Sequence, residues 1–463
     1  MKDETMTATT SKEEVKAETV MDDVFEDKAV EAKAVVEAIV DLDEDKLAKL
    51  KAKLASGKGK AMKKERSLNI GVIGSGQAGS RLAEAFYKLG VDCIILNTAQ
   101  QDLKLIGIPE SNKLLLECGL PGGGGAAKSL ELGEQAAEKN ADKILDMVNK
   151  HFADADVFMI ATSLGGGSGA GSVRVLADLL GTIGKPIIAL TVLPMAGEDT
   201  LTKANSIETL HKLTTMIKEN KIANAFVIDN ARVENIYAGT GIMDFFDVAN
   251  KAIVAPLDMF NRLSMEASAT KSIDSTEFSR LLLDSGALSV YGEMTITDFD
   301  GETKIAEAVI ENLNNNLLAS GFDIKQSKYA AFMVCANAAT WKKIPAVAVN
   351  YANSLLSEQA GSPLGTFRGT YVVPEMDDDV VKVYSMFSGL GLPEQRVNEL
   401  KKEAAALQAG VKAKDAQRNL TIDVNPDKSD TQTEIEKIKA KVATNKSPFG
   451  QFMQKGVIDR RGK

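Results

Sequence analysis

A glycine-rich segment between apolar residues constrains the fold of this chain more than any other feature. Residues 165–171 read Gly-Gly-Gly-Ser-Gly-Ala-Gly; the apolar run 157–160 precedes them and the helix-like segment 173–180 follows. This order predicts a buried strand, a glycine turn and a helix. Because glycines leave backbone N–H groups unshielded and a helix begins directly after them, the turn suits an anion such as a phosphate. Simple flexibility is the alternative reading, and the density of glycines argues against it.

Strand-like and helix-like segments alternate through the first part of the folded body. The predicted strands are 68–73, 91–96, 157–160, 186–193 and 225–228. The predicted helices between them are 81–88, 142–151, 173–180 and 202–219. Such alternation predicts an α/β fold with a parallel, doubly wound sheet that carries helices on both faces.

A long amphipathic segment, 242–265, is predicted to form a central helix, in which we expect Pro256 to introduce a kink. Strand and helix patterns beyond it predict a smaller α+β second domain, with strands at 288–296, 329–336, 368–373 and 380–387 and helices at 305–319 and 346–356. The predicted divisions are a charged extension (1–66), a first domain (67–238), the central helix (239–268), the second domain (269–391), a closing helix (392–409) and a polar, basic tail (410–463).

Composition argues against several classes of protein. The chain has 463 residues, of which 44% are hydrophobic and 26% charged, as in globular proteins. No apolar stretch reaches the length of a membrane span and no signal-peptide core is present near residue 1, so we expect a cytoplasmic protein without direct membrane insertion. Three scattered cysteines fit a reducing compartment. The presence of only two histidines, His151 and His211, argues against a histidine-based catalytic site or a zinc site.

Charge is concentrated near both ends of the chain. Residues 1–50 hold fifteen acids and seven bases, residues 51–66 hold seven bases and one acid, and residues 437–463 hold eight bases and one acid. Such blocks are typical of solvated tails. The alternative is docking, in which case we expect a DNA-bound or membrane-associated adaptor to bind one of these extensions. The net charge of −9 disfavours a nucleic-acid-binding protein as a whole.

Two further glycine-rich segments resemble phosphate-binding motifs. Residues 74–79 read Gly-Ser-Gly-Gln-Ala-Gly, which matches the dinucleotide fingerprint. The next predicted strand ends in Asn97-Thr98 and not in an acid that would bind ribose, which disfavours an NAD-dependent oxidoreductase. Residues 122–129 resemble a P-loop, but Ala127 stands before the lysine and the segment is not expected between a strand and a helix. We therefore do not interpret it as a Walker site.

The glycine-rich loops gain meaning when they are taken together. Loops 74–79, 121–125 and 165–171 are predicted to leave one edge of one sheet. In a doubly wound sheet, the loops at the carboxyl ends of the strands share a crevice. Several phosphate cradles in one crevice suit a nucleoside triphosphate.

In order and spacing, these segments resemble the tubulin/FtsZ family of GTPases over about 68–390. Residues 161–171 look like the family's signature phosphate loop, 76–80 like its first loop, 97–98 like the opening of its second and 119–125 like its third. The resemblance implies GTP or GDP with Mg²⁺ as the ligands. It assigns nucleotide binding to Gly76, Gln77, Ala78, Asn97, Gly122, Gly123, Gly124, Gly125, Gly165, Gly166, Gly167, Ser168, Gly169, Glu198, Asn230, Phe246 and Asn250.

The resemblance also gives some of these residues separate roles. Glu198 falls where the family contacts the ribose, and Asn230 where it hydrogen-bonds guanine. Phe246 and Asn250 match an F-x-x-x-N spacing that puts a stacking ring and a base-reading amide one helical turn apart on one face. The chain departs from the family pattern at four positions, namely Ser80, Ala99, Thr202 and Ser272.

A pair of acids follows the predicted central helix. Residues 272–278 resemble the family's N-x-D-x-x-[DE]-F segment and include Asp274 and Glu277. From the residues alone, the spacing favours a helix-capping pair. The resemblance implies instead that the two carboxylates enter the nucleotide site of the next subunit and polarise a water for attack on the γ-phosphate.

The resemblance thus implies a GTP-hydrolysing cytoskeletal protein that polymerises head to tail and completes its active site between subunits. Its expected role lies in DNA positioning or segregation, or in phage or plasmid maintenance. Two alternatives stay open, a ring protein of cell division and a GTP-binding adaptor that does not polymerise. The charged arms motivate the adaptor.

Overall fold

The computed structural model describes residues 65–118, 124–241, 244–268 and 270–417. The described strands are β1 (Ile70–Ser75), β2 (Cys93–Asn97), β3 (Lys113–Leu115), β4 (Val157–Ser163), β5 (Ile187–Leu193), β6 (Asn224–Asp229), β7 (Leu288–Ile296), β8 (Tyr329–Ala336), β9 (Gly365–Val372) and β10 (Val381–Leu390). The described α-helices are α1 (Gly76–Lys88), α2 (Gln100–Lys104), α3 (Leu130–Lys139), α4 (Ala141–His151), α5 (Ser168–Gly181), α6 (Thr200–Lys218), α7 (Asn230–Ile236), α8 (Phe245–Leu263), α9 (Ser275–Leu283), α10 (Lys304–Glu311), α11 (Ala338–Trp341), α12 (Ala346–Gln359) and α13 (Glu394–Gln417).

All ten strands belong to one sheet, in the order β3-β2-β1-β4-β5-β6-β7-β10-β8-β9. In the first part of this order, β3-β2-β1-β4-β5-β6, all neighbouring strands pair in parallel, so their carboxyl ends meet at one edge of the sheet. The sheet continues into β7 through a short parallel contact, in which Ala225 pairs with Leu288 and Phe226 with Ser289. The predicted α/β fold with a parallel, doubly wound sheet is confirmed for this half of the molecule.

Alternate residues of the parallel strands face two separate hydrophobic cores. One core joins the side chains of α1 and α8 to one face of the sheet, and the other joins those of α3, α4, α5 and α6 to the opposite face. In β1, for example, Val72 lies in the first core and Ile73 in the second. Because both faces are covered, these strands read as continuous apolar runs.

The other half of the sheet is mixed. Strand β10 pairs antiparallel with β7 and β8, and β9 pairs parallel with β8. Helices α10 and α12 cover one face of this half over a third core that includes Phe332 and Phe387. This is the α+β arrangement predicted for the later part of the chain, although the domain boundaries themselves stay a prediction.

Helix α8 links the two halves of the sheet, and its two ends lie in different parts of the molecule. Its 19 residues span about 28 Å. Its beginning lies at the carboxyl edge of the parallel strands. Its other end is held at the start of β1, where Asn261 Oδ1 accepts from the Leu68 N–H at 2.9 Å and the Asn261 carbonyl accepts from the Ser67 N–H at 2.9 Å. The helix is continuous through Pro256.

Two predicted helices have different ends in the structure. The helix predicted at 305–319 ends at Glu311 and is followed by a π-helical turn, Asn312–Asn316. Within that turn, the buried Asn312 side chain donates to the Gly292 carbonyl at 3.3 Å and to Ser385 Oγ at 3.1 Å, which competes with a regular helix. The closing helix predicted to end at 409 continues to Gln417, because strong helix formers continue past the last buried contact.

Candidate functional site

A cleft of about 520 Å³ opens at the carboxyl edge of the parallel strands. The first residues of α1, α5, α7 and α8 surround it, together with the loops after β2, β3, β4 and β5. Of the residues assigned from the sequence, those that line the cleft are Gly76, Gln77, Ala78, Asn97, Gly125, Gly165, Gly166, Gly167, Ser168, Gly169, Glu198, Asn230, Phe246 and Asn250.

Four glycines of the cleft, Gly76, Gly165, Gly167 and Gly169, occupy positions where a Cβ atom would lie less than 3 Å from backbone or neighbouring side chains. A Cβ atom at Gly169 would lie 2.3 Å from Thr162 Oγ1 and 2.5 Å from the Ser75 carbonyl oxygen. One at Gly165 would lie 2.4 Å from Thr202 Cγ2. Distances below about 3 Å require the structure to move, so glycine lets these loops converge at this density.

Hydroxyl groups connect the loops that the glycines bring together. Thr98 Oγ1 lies 2.5 Å from Ser168 Oγ and accepts from the Ala126 N–H at 2.9 Å. Ser75 Oγ lies 2.7 Å from Ser172 Oγ on α5. The end of β1 and the loops after β2 and β3 are therefore joined by hydrogen bonds, directly or through one another, to the beginning of α5. A cradle formed before a ligand enters lowers the entropic cost of binding.

One end of the cleft is aromatic. Phe246 is 46% exposed, and the Arg81 guanidinium lies 4.7 Å from the centre of its ring. Phe245 meets Phe246 edge to face, with 5.4 Å between ring centroids. Asn250 lies one helical turn further along α8 and also lines the cleft. An exposed ring beside an amide is suited to hold a flat heterocycle by stacking and hydrogen bonding.

Asn230 enters the cleft from the start of α7, and a buried ion pair supports it. The Asp229 carboxylate caps α7 by accepting from the Ala231 N–H at 3.1 Å. Arg396 of α13 donates from Nε to Asp229 Oδ2 at 2.7 Å. The Arg396 and Asp229 side chains are 6% and 2% exposed. Burial raises the pKa of Asp229, and the Arg396 charge opposes the rise.

The structure leaves part of the predicted third loop unassigned. Gly122 and Gly123 lie outside the described residues. Gly124 is described but does not line the cleft; its carbonyl accepts from the Cys118 thiol at 3.1 Å. The contribution of this loop to the cleft comes instead from Gly125 and the three residues after it.

Two basic residues line the cleft, Arg81 and Lys128, and neither was predicted from the sequence to do so. The prediction that residues 122–129 do not lie between a strand and a helix is wrong, because β3 ends at Leu115 and α3 begins at Leu130. The short strand and the helix after it have weak patterns. The available signal was a run of four glycines, 122–125, with a lysine three residues after it.

The acids Asp274 and Glu277 do not line the cleft. They follow the end of α8 that is remote from it. Asp274 caps α9 and accepts from the Glu277 N–H at 2.8 Å, and Glu277 Oε2 accepts from the Asp274 N–H at 3.3 Å, so the capping box allowed by the spacing is present. Asp274 is exposed and Glu277 is partly buried. Burial raises the pKa of Glu277 above its ordinary value.

Family models match most of the folded body. Residues 69–238 match the GTPase domain of the Tubulin/FtsZ family, and residues 260–401 match the C-terminal domain of Tubulin/FtsZ-like proteins of the TubZ-like type. The fold and the cleft define a doubly wound α/β protein with a glycine cradle at the carboxyl edge of its parallel strands. The chain belongs to the tubulin/FtsZ superfamily, as its sequence resemblance indicated.

Relatives include the tubulin-like protein CetZ of Thermococcus kodakarensis, which is 25% identical over 326 residues, or 69% of this chain and 81% of that protein. Cell division protein FtsZ 1 of Methanocaldococcus jannaschii is 27% identical over 257 residues, or 55% of this chain and 66% of that protein.

Solved structures share the fold. A GTPγS-form protofilament of TubZ from Bacillus thuringiensis serovar israelensis has a TM-score of 0.66 at 20% identity and covers 76% of this chain and 95% of that one. The GTPγS-bound protofilament of CetZ2 from Haloferax volcanii has a TM-score of 0.62 at 21% identity and covers 74% and 100%. Among the described residues of the present chain, none of the helices combines the length and apolar character needed to cross a bilayer.

Proposed function

We propose that this protein binds GTP in the cleft, assembles head to tail in the cytoplasm and hydrolyses GTP where two subunits meet. The glycine cradle binds the phosphates through backbone N–H groups, Glu198 contacts the ribose, and Asn230, Phe246 and Asn250 bind the guanine. The similar structures of TubZ and CetZ2, which are protofilaments in GTPγS forms, support the assembly step.

The observation that carries the proposal is the separation of the cleft from the acid pair. The beginning of α8 lines the cleft, whereas Asp274 and Glu277 follow the other end of that helix. Helix α9, which begins after Asp274, is hydrogen-bonded to the amino end of β6, where Asn224 Nδ2 donates to the Leu281 carbonyl at 3.5 Å. A head-to-tail contact brings the acids of one copy to the cleft of another.

The chemistry assigned to this contact needs a base and a way to balance the phosphate charge. Glu277 and Asp274 orient and deprotonate the attacking water, and the raised pKa of Glu277 suits a proton acceptor. Among the described residues, no three acidic, histidine or cysteine side chains are grouped to hold a metal. A Mg²⁺ ion would therefore be held mainly by the phosphates, whose charge it neutralises.

The test is a variant that removes both negative charges and keeps the helix cap. Asn is as good an N-cap as Asp, and Gln can complete a capping box, so Asp274→Asn with Glu277→Gln leaves α9 intact. We expect GTP binding to persist, turnover to fall at least hundredfold and filaments to outlast those of the wild type. Nucleotide binding, phosphate release and sedimentation measure the three effects.

A matched control neutralises another Asp and Glu, which lie outside the proposed site. Asp298 and Glu307 pair with Lys304 on the surface of the second half of the sheet. Their double change to Asn and Gln should leave turnover within about twofold of the wild type. Normal turnover in the Asp274→Asn, Glu277→Gln protein would show that these acids are not catalytic. Tight GTP binding without any filaments would favour a nucleotide-binding adaptor.

For the cellular role, we propose that the filaments position or segregate DNA, or maintain a phage or plasmid. The TubZ-like match at 260–401 supports this role, and a similar solved structure is described as a type III plasmid segregation TubZ. A separate DNA-bound or membrane-associated adaptor would bind one of the two charged extensions of this chain. Residues 437–463 are the best candidate for its binding segment. If a chain lacking 437–463 retains every partner that co-purifies with the full chain, this assignment of the tail is wrong.

A further inference from the structure

Lys128 has its backbone locked against the phosphate loop. Ala127 and Lys128 both adopt left-handed conformations, with φ of 47° and 61°, which is uncommon for residues other than glycine. The Lys128 carbonyl accepts from Asn205 Nδ2 at 2.8 Å, and the same amide group donates to the Gly165 carbonyl at 3.2 Å. A Cβ at Gly167 would lie 2.9 Å from Lys128 Cα. The surrounding structure therefore fixes where this side chain starts.

The Lys128 side chain is held at the glycine end of the cleft by two acceptors. Its ammonium group donates to Thr202 Oγ1 at 2.9 Å and forms an ion pair with Asp199, the N-cap of α6. The Lys128 and Asp199 side chains are 46% and 55% exposed. A pair this exposed contributes little stability and exchanges readily for a better acceptor. Lys128 lowers the pKa of Asp199 to about 2, so this carboxylate competes for the lysine at every physiological pH.

The charges along the cleft direct this lysine to the phosphates. Its described lining contains two basic residues, Arg81 and Lys128. Arg81 is engaged with the exposed ring of Phe246 at the aromatic end. Lys128 is therefore the cation of the described lining that lies beside Gly165 and Gly167.

We propose that Lys128 binds the terminal phosphate of a nucleoside triphosphate and that Asp199 holds the lysine when that phosphate is absent. This inference rests on the proposed function, because it assumes that the cleft accepts the nucleotide. The ammonium group leaves one carboxylate for an anion of higher charge, with which it forms a stronger charge-assisted hydrogen bond. A nucleoside diphosphate lacks the terminal phosphate and offers less negative charge. The exchange of partners by Lys128 therefore makes the cleft bind the triphosphate more tightly than the diphosphate.

The experiment compares the affinities of fluorescent GTPγS and fluorescent GDP for the full chain, at a protein concentration below assembly. Lys128→Asn removes the cation, and asparagine tolerates the left-handed backbone that this position requires. We expect GTPγS to bind about tenfold more weakly and GDP to change less than about threefold. Asp199→Asn keeps the cap of α6 and frees the lysine, so it should tighten GTPγS binding about twofold to threefold.

The matched control is Lys343→Asn. Lys343 forms an ion pair with Asp379, and both residues follow Lys128 by more than two hundred positions in the sequence. The two side chains are 53% and 56% exposed, close to the values for Lys128 and Asp199. It should change neither affinity. If the wild type binds both nucleotides, the proposed nucleotide site stands. Unchanged GTPγS binding by the Lys128→Asn protein, or equal losses of affinity for both nucleotides, would then overturn the inference about Lys128 alone. A wild type that binds neither nucleotide would overturn the proposed function and this inference with it.

Discussion

The two ends of α8 are built on different principles. At its beginning, the cleft includes Gly76, Gly165, Gly167 and Gly169, whose Cβ atoms would lie less than 3 Å from neighbouring atoms. Beyond its other end, Asp274 and Glu277 form a local capping box with exposed or partly exposed carboxylates. Binding groups made of backbone cannot be exchanged without changing the fold. The acid pair can be neutralised with little effect on the fold, which lets the two functions be tested separately.

The two halves of the sheet explain where the cleft can form. Strands β1, β2, β4, β5 and β6 are parallel neighbours, so their following loops share one edge. In the other half, β10 runs antiparallel to β7 and β8, so loops are divided between both edges. Several loops can converge on one ligand in the parallel half, as the general rule for open α/β sheets requires.

The largest effect that we predict concerns the support under the cleft. Arg396→Met leaves the carboxylate of Asp229 buried without its charge partner and should lower the free energy of unfolding by about 3 kcal/mol. It should also weaken GTP binding, because Asp229 caps the helix that carries Asn230. Urea unfolding and nucleotide titration measure both effects. Arg174→Met is the control: Arg174 is 43% exposed in its ion pairs, so its loss should cost less than about 1 kcal/mol. Equal losses for the two variants would contradict this account.

A backbone position of the phosphate loop should come next. Gly169→Val forces Thr162 and the Ser75 carbonyl apart, and we expect at least a hundredfold loss of GTP affinity, equivalent to about 2.7 kcal/mol. Gly181 lies at the end of the same helix with open space where its Cβ would be, so Gly181→Ala should leave the affinity unchanged. Calorimetric titration checks both, and a Gly169→Val protein with normal affinity would show that this loop does not hold the phosphates.

The smallest predicted effect concerns pH. Burial raises the pKa of Glu277 above its ordinary value of 4.5. As the pH falls, the carboxylate that we propose as the proton acceptor is therefore protonated at a higher pH than an ordinary glutamate. Turnover should decline with a midpoint above pH 4.5, measured at constant polymer mass. A midpoint at or below pH 4.5 would mean that ionisation of Glu277 does not limit the reaction.

The sequence predicted most of the cleft because its signals are local. The glycines at 165–169 lie between a continuous apolar run and a helix pattern, and Phe246 and Asn250 share one helical face at a fixed spacing. The capping geometry of Asp274 and Glu277 was likewise readable from four consecutive residues. In each case, the residues that carry the signal lie close together in sequence.

The residues that were missed depend on distant partners. Lys128 is positioned by Asn205 and Thr202, more than seventy residues away, and Arg396 meets Asp229 across 167 residues. Their importance arises from folding and leaves no periodic pattern. The end of α10 at Glu311 was missed for the same reason, because the buried side chain of Asn312 bonds to β7 and β10.

The central claim is that one chain does not contain a complete active site. The most direct measurement is the rate of GTP hydrolysis per subunit as a function of protein concentration, with nucleotide occupancy and polymer mass recorded in the same samples. The account predicts a rate per subunit that falls toward zero below the assembly threshold while GTP stays bound. A constant rate per subunit in fully dissociated, GTP-saturated protein would contradict it.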